Sequence, residues 1–439
     1  MSAGHSHVHA DVPDPSSARA RRVTAIVAAV IAVLSVALVV VFWPGEVEEA
    51  VGYDPFATDL FDAEITDSRE TPCQGGPVEG PVEVEIRCAT LELTLQNGPD
   101  EGDTATLNYV EGPGAATLEV GDQIVVGLSP DAAPEFRYYF ADFQRTSPML
   151  VLLVFFVAAV LMLGRFGGLR ALLGAGASLV VIVVFLVPAL LEGTSPVVVA
   201  LVGAGLIAVL ALYVTHGVNH RTNVAFLGTM ASLALTALLA AIFVAATHLT
   251  GLVNETVSFL QLGSAEIDVT GLLLAGIVIG ALGVIDDVTV TQVSAVWELH
   301  ATDPDASAGQ LYRSAITIGR DHIASTVNTL VLAYVGASLP LLLLFQQGQQ
   351  PLDRILTGEA IATEIVRALV GSIGLVASVP ITTALAVAVV GARRGEPTDG
   401  PDGEPSTEPP PEPEPEPESE PAPPPPPAWD DFGPEERDF

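Results

Sequence analysis

Long uninterrupted apolar runs constrain this chain more than any other feature of it. Eight of them, 16 to 27 residues long, lie at about 23–42, 148–163, 169–191, 197–215, 223–247, 269–291, 323–345 and 365–391. They are built mostly of Ala, Val, Leu, Ile and Gly. About 20 such residues in a helix match the roughly 30 Å hydrocarbon core of a bilayer. Backbone polar groups in hydrocarbon must be satisfied internally, and a helix does this within one segment. The expected fold class is therefore an α-helical polytopic membrane protein with about eight transmembrane helices. A purely soluble enzyme is excluded, because the apolar half of the 439 residues is gathered into these runs.

Arginine placement gives the spans a direction, since cytoplasmic loops carry an excess of basic residues. Arg19, Arg21 and Arg22 precede the first run, which is longer than a signal-peptide core and lacks a small-residue cleavage site, so it reads as an anchor. With the N-terminus inside, Arg165, Arg170, Arg221, Arg313, Arg320, Arg393 and Arg394 all fall in inner loops or just after the last span. The outer loops carry Glu192, Glu255, Glu266, Asp268, Asp353, Arg354, Glu359 and Glu364. Both termini are then expected in the cytoplasm of a bacterial cell, and residues 44–147 outside it. The resulting divisions are a cytoplasmic N-terminus (1–22), the anchor (23–43), an extracytoplasmic domain (44–147), a seven-helix core (148–394) and a cytoplasmic tail (395–439).

The formal charge of −35 belongs to two of these segments. Residues 44–147 hold 22 acids and 4 arginines, and residues 395–439 hold 15 acids and 1 arginine, so the two sum to −18 and −14. No basic patch exists to neutralise phosphates, which argues against nucleic acid as a partner. The lipid bilayer is the partner the composition requires, with protein partners expected through the outer domain and the tail. The oligomeric state is left open.

The outer segment alternates with period two, as in Val82–Gln96 and Ala116–Leu128, with turns at Asn97-Gly98-Pro99, Gly112-Pro113-Gly114 and Gly121-Asp122. Short strands at this spacing predict a small β-rich domain, an OB-like barrel or a sandwich, with an edge strand after Gly121-Asp122. Both cysteines, Cys73 and Cys88, fall in it, where a disulfide is permitted by the compartment. The tail interleaves 16 prolines with glutamate and cannot bury a core, so an extended disordered chain is expected. It ends near Trp429, Phe432 and Phe439, which read as an unstructured end or a docking motif. His5, His7 and His9 alternate near the start; in an extended chain they point the same way and could capture a transition metal, or carry no function.

Ionisable residues inside membrane spans are costly and are functional hypotheses by default. The sixth run carries Asp286 and Asp287, about 25 Å from its entry near Val269. The seventh begins with Asp321, Ser325 and Asn328 on one helical stripe, and His322, Thr326 and Thr329 on the next. Asp287, Thr291 and Ser294 form a third stripe. Carboxylates and imidazole could ligate a divalent cation or relay a proton. The structural reading has Arg313 and Arg320 pairing the acids at headgroup level, with the hydroxyls and Asn328 as interhelical glue, Asn328 meeting Thr289 or Asp286. His216 and His220 are four apart but flank Gly217. Gly276 and Gly280 suggest close helix packing, and Pro188, Pro340 and Pro380 suggest kinks. No nucleotide-loop, nucleophile-elbow or zinc-protease motif is present.

The stretches "GALGVIDDVTVTQVSAVWEL" (Gly280–Leu299), "GRDHIASTVNTLVLAYVGASLPLLLLF" (Gly319–Phe345) and "YYFADFQRTSPMLVLLVFF" (Tyr138–Phe156) resemble the YibE/F-like family of bacterial membrane proteins. The resemblance covers roughly Glu135 to Val390 and implies an outer domain followed by a seven-helix core. It transfers no catalytic or ligand residues. Three functions are then open: a secondary transporter or permease, proton- or cation-coupled; a non-transporting scaffold acting through its outer domain and tail; and a lipid-processing enzyme. The ion-path candidates are Asp286, Asp287, Asp321, His322, Ser325, Asn328 and Thr329.

Overall fold

The structure, a computed structural model, describes residues 16–45, 59–73, 86–252 apart from 113, 131, 134 and 135, then 267–347 and 351–391. His5, His7, His9 and the proline–glutamate tail lie outside the described residues. So do the stretches 46–58, 74–85 and 253–266.

The outer domain is one five-stranded antiparallel sheet: β1 (Leu60–Thr71), β2 (Arg87–Leu95), β3 (Thr104–Glu111), β4 (Gln123–Leu128) and β5 (Tyr138–Phe143). Its order is β3-β2-β1-β4-β5, a meander on one side of β1 with the β4–β5 hairpin returning to the other. Register shifts at Ile65/Asp67 in β1 and Val125/Val126 in β4 bend the sheet, as bulges do. The curl brings the two edge strands together, where Tyr109 and Phe140 meet edge to face with ring centres 5.7 Å apart. Alternate residues Ile65, Leu91, Leu93, Leu107, Ile124 and Val126 form the core inside the curl.

Two sequence expectations for this domain change. Only the second half of Ala116–Leu128 is strand, because Gly121 takes φ 98° and turns the chain. The strand that follows is not an edge; β4 lies between β1 and β5, which pair with both of its sides. Cys73 and Cys88 are joined by a disulfide that closes a loop of sequence separation 15 at the ends of β1 and β2.

The helical part consists of α1 (Ala18–Val41), α2 (Thr146–Val181), α3 (Val187–Leu191), α4 (Pro196–His216), α5 (His220–Ala246), α6 (Val269–Thr302), α7 (Ala308–Ala337), α8 (Leu339–Gln347), α9 (Leu352–Thr357) and α10 (Glu359–Gly391). Among the described residues, six helices are long and apolar enough to cross a membrane, or seven if the bent pair α7–α8 counts as one span. Helix starts are capped as the sequence allows: Asn219, Asp268 and Ser307 each accept a backbone N–H of the first turn.

The two runs at 148–163 and 169–191 lie in α2 and its continuation through a π-helical turn, Ile182–Leu186, into α3. The helix is broken at Arg165, where φ is 50° and ψ −128°. A Cβ added to Gly168 would run into the carbonyl of Val160. An unbroken helix would hold those residues about 12 Å apart along its axis. The chain therefore folds back sharply at Arg165.

Of the three prolines, Pro188 follows the π turn, Pro340 sits at a 57° bend between α7 and α8, and Pro380 lies within α10 without breaking it. The first run is more than a tether. Ala28, Ser35 and Val39 of α1 are buried, Ser35 fits against Gly205 of α4, and the Thr24 hydroxyl lies 3.1 Å from His220 Nδ1.

Helices α5, α6 and α10 form the tightest junction, and glycines permit it. Cβ atoms added to Gly228 and Gly374 would collide with Thr382 and Thr236, and one at Gly319 of α7 with Val379 and Gln292. The pair expected from sequence, Gly276 and Gly280, does not serve this purpose. Gly276 faces open space, and Gly280 meets only the Tyr334 hydroxyl, 3.5 Å from the position of an added Cβ.

Candidate functional site

Consecutive residues on a helix point about 100° apart, so Asp286 and Asp287 of α6 cannot share one environment. Asp286 is half-buried and turns into the bundle; Asp287 is exposed. The Thr229 hydroxyl of α5 hydrogen-bonds the Asp286 carboxylate and lies 2.7 Å from the Thr289 hydroxyl. Thr289 donates to the backbone carbonyl of Asp286 at 2.9 Å. The second carboxylate oxygen, Oδ1, is buried and has no hydrogen-bond partner among the described residues.

A cavity of roughly 260 Å³ opens beside the pair, between α2, α4 and α6. Asp286, Asp287, Ser178, Thr215 and His216 supply its polar groups. Small residues keep it open: Gly174 of α2 lets Thr215 approach to 2.9 Å from where a Cβ would sit, and Gly283 has nothing within 4 Å of its own. Ser178 donates its hydroxyl to the Gly174 carbonyl at 2.9 Å, leaving its lone pairs available to the cavity. Among the described residues no arginine lines it. A carboxylate oxygen buried without a donor is costly unless water, a proton or a cation meets it. The cavity has the room and the acceptor chemistry for any of the three.

Across the other side of Asp287, His322 Nε2 of α7 lies 4.0 Å from its Oδ2. Asp286, Asp287 and His322 are thus brought into one neighbourhood. The remaining sequence candidates are not. Asp321, Ser325 and Asn328 lie on the exposed side of α7. Asn328 does not meet Thr289, whose hydroxyl is taken by Thr229 and its own helix. Thr329 is also exposed and donates back to the Ser325 carbonyl at 3.1 Å, as Thr326 does to His322 and Thr291 to Asp287. Neither Arg313 nor Arg320 pairs with these acids among the described residues. A metal site made from all four ionisable groups is not assembled; among the described residues no group of three or more His, Cys, Asp and Glu is placed to hold an ion.

Several polar residues escaped the sequence reading. Gln292 is buried in α6 and donates to the Ala315 carbonyl of α7 at 2.9 Å and to the Thr383 hydroxyl of α10 at 2.8 Å, tying three helices together. Thr229, Ser232 and Thr236 of α5 are fully buried. The four-residue spacing of Gly228, Ser232 and Thr236 was a visible signal, since hydroxyls at that period mark a helix contact face. His216 ends α4 and enters the cavity, while His220 starts α5 and stacks near Trp297, with ring centres 6.0 Å apart; the two histidines do not converge on one ligand. Glu364, expected in an outer loop, lies within α10 and is paired one turn on with Arg367 at 2.9 Å.

The sequence profile of the YibE/F-like proteins matches residues 152–392, which include every residue of the cavity and of the α5–α6–α10 junction. No curated protein and no solved structure matches the chain.

Proposed function

The chain belongs to the YibE/F-like family, and from that premise we propose that it is a secondary transporter or permease of a bacterial cell membrane, coupled to a proton or a small cation. The reading takes the helices as eight crossings: α1, the two halves of α2 on either side of Arg165 (the second continuing through α3), α4, α5, α6, α7 with α8, and α10. Arginines then lie on the inner side at each turn, and both termini are cytoplasmic. The sheet, with its disulfide, is outside, and the curl of its five strands supports an OB-like barrel. Asp286 and the cavity fall in the inner half of the membrane, about 25 Å along α6 from its outer start.

The observation that carries the reading is the Asp286 oxygen, the one buried carboxylate oxygen left without a hydrogen-bond partner among the described residues, on a side chain that lines a polar cavity. Such a group exchanges readily between charged and neutralised states, which is what a coupling site does. Asp287 and His322 extend the exchange towards the exposed side of α6. The scaffold alternative makes no use of this carboxylate.

The test is a deletion strain profiled for lost tolerance to metals, salts and pH, then complemented with wild type, Asp286→Asn or Asp287→Asn at matched membrane abundance. A coupled carrier requires that Asp286→Asn fail to complement. Full rescue by that variant would leave the scaffold reading in possession.

A further inference from the structure

Helix α7 turns one face to its neighbours and leaves the opposite face uncovered by the described residues. Ile316, Ile323 and Val327 pack against α6 and α10, and Gly319 is pressed against Val379 and Gln292. On the other side, Asp321, Ser325, Asn328, Leu332 and Val335 are all exposed. Their spacing is four, three, four and three residues, the period of a two-helix seam with a 3.5-residue repeat.

Lipid suits one uncovered face of this protein but not this one. The first half of α2 exposes Leu150, Leu152, Phe155 and Phe156, which hydrocarbon solvates well. The α7 seam exposes the Asn328 amide about 10 Å further along the axis than Asp321. An amide at that depth needs a hydrogen-bonding partner. Two copies in one membrane share one orientation, so their α7 helices run parallel and identical residues meet at identical depth. Asn carries both donor and acceptor, so it complements itself across a two-fold axis, and a single such Asn fixes parallel register in a two-helix seam. Leu332 and Val335 then supply the apolar part, and the exposed Arg320 offers countercharge for Asp321 of the second copy. We propose that the exposed face of α7 is a homodimer interface centred on Asn328 and Leu332. It rests on the membrane placement of α7, and it stands whether or not Asp286 couples transport.

Both native cysteines are bridged, so an introduced cysteine is the sole free thiol. Full-length Asn328→Cys, Leu332→Cys and Leu152→Cys variants are oxidised in native membranes and resolved by mass. Covalent dimers of twice the 45.5 kDa chain are expected at positions 328 and 332 and not at the lipid-facing control, Leu152. Asn328→Leu should raise the dimer dissociation constant of the uncrosslinked protein in bilayer discs roughly five- to thirtyfold. Equal cross-linking at Leu152 would overturn the proposal as random collision. Absence of dimer at 328 and 332, with Asn328→Cys reacting instead with a hydrophilic thiol reagent, would overturn it in favour of a water-filled path. Leu332→Cys is apolar in origin and keeps the test valid if the change at Asn328 impairs folding.

Discussion

Helix α6 presents two polar neighbourhoods that follow opposite rules. Towards α5, α7 and α10 two of its buried polar side chains are paired: Gln292 has two acceptors, and Thr289 meets Thr229. Towards α2 and α4, seven residues or less away along the same helix, Asp286 keeps one buried oxygen without a partner beside a cavity. Saturated polar groups at a tight junction act as structural glue. A buried carboxylate oxygen without a partner is costly, and on a side chain that lines a cavity it is a functional hypothesis. Glycines divide the same way. Gly228 and Gly374 exist because side chains would collide, whereas Gly283 borders empty space.

That division is broken most severely at the junction. Gly374→Leu would drive a side chain into Thr236 and cost well beyond the ~1–3 kcal/mol typical of overpacking, so little folded protein should reach the membrane fraction. Gly283→Leu has room at its own Cβ and should fold, but it fills the cavity; complementation should fail while membrane abundance stays near wild type. If the two variants behaved alike, the contrast between junction and cavity would be lost.

A further contrast sets the outer domain against the helices. Replacing both Cys73 and Cys88 by Ser removes a constraint worth about 3 kcal/mol for a loop of this length. Limited proteolysis should then cleave the β sheet sooner while the helical core survives. The smallest effect concerns alkaline pH. Burial, helped by the hydrogen bond Tyr138 donates to Asp100, pushes the Tyr138 phenol up to about 12 from 10.0. A raised folded-state value gives stability that is complete below pH 10 and is lost as pH climbs through about 12. Ultraviolet titration should show one late-ionising tyrosine fewer in Tyr138→Phe.

Much of the fold was legible from hydropathy alone, because each long apolar run had one economical fate. Run limits were less so: α6 extends eleven residues past the apolar stretch, to Thr302, since no breaker precedes Asp303 and Pro304 and since Trp297 is buried there. Asp286 and Asp287 stood out because charge is rare in spans. Their cavity did not, because it is made by absences, Gly174 and Gly283, on helices more than a hundred residues apart in the chain. The stripes of α7 were correctly spaced, yet periodicity gives only relative angles. It cannot say that His322 turns to Asp287 while Asn328 turns outward. Gln292 was overlooked because it carries no charge, although a buried amide is nearly as demanding of partners.

Asp286 should be chemically available, whereas Glu364 of the same core is paired with Arg367. A membrane-permeant carbodiimide, which attacks neutralised carboxyls in apolar surroundings, tests this directly in the intact protein, read by peptide mass spectrometry. The account predicts modification at Asp286 ahead of Glu364, abolished in Asp286→Asn and suppressed in Gly283→Leu, with loss of complementing activity in proportion to labelling. An unreactive Asp286, or full activity after its complete modification, would contradict it.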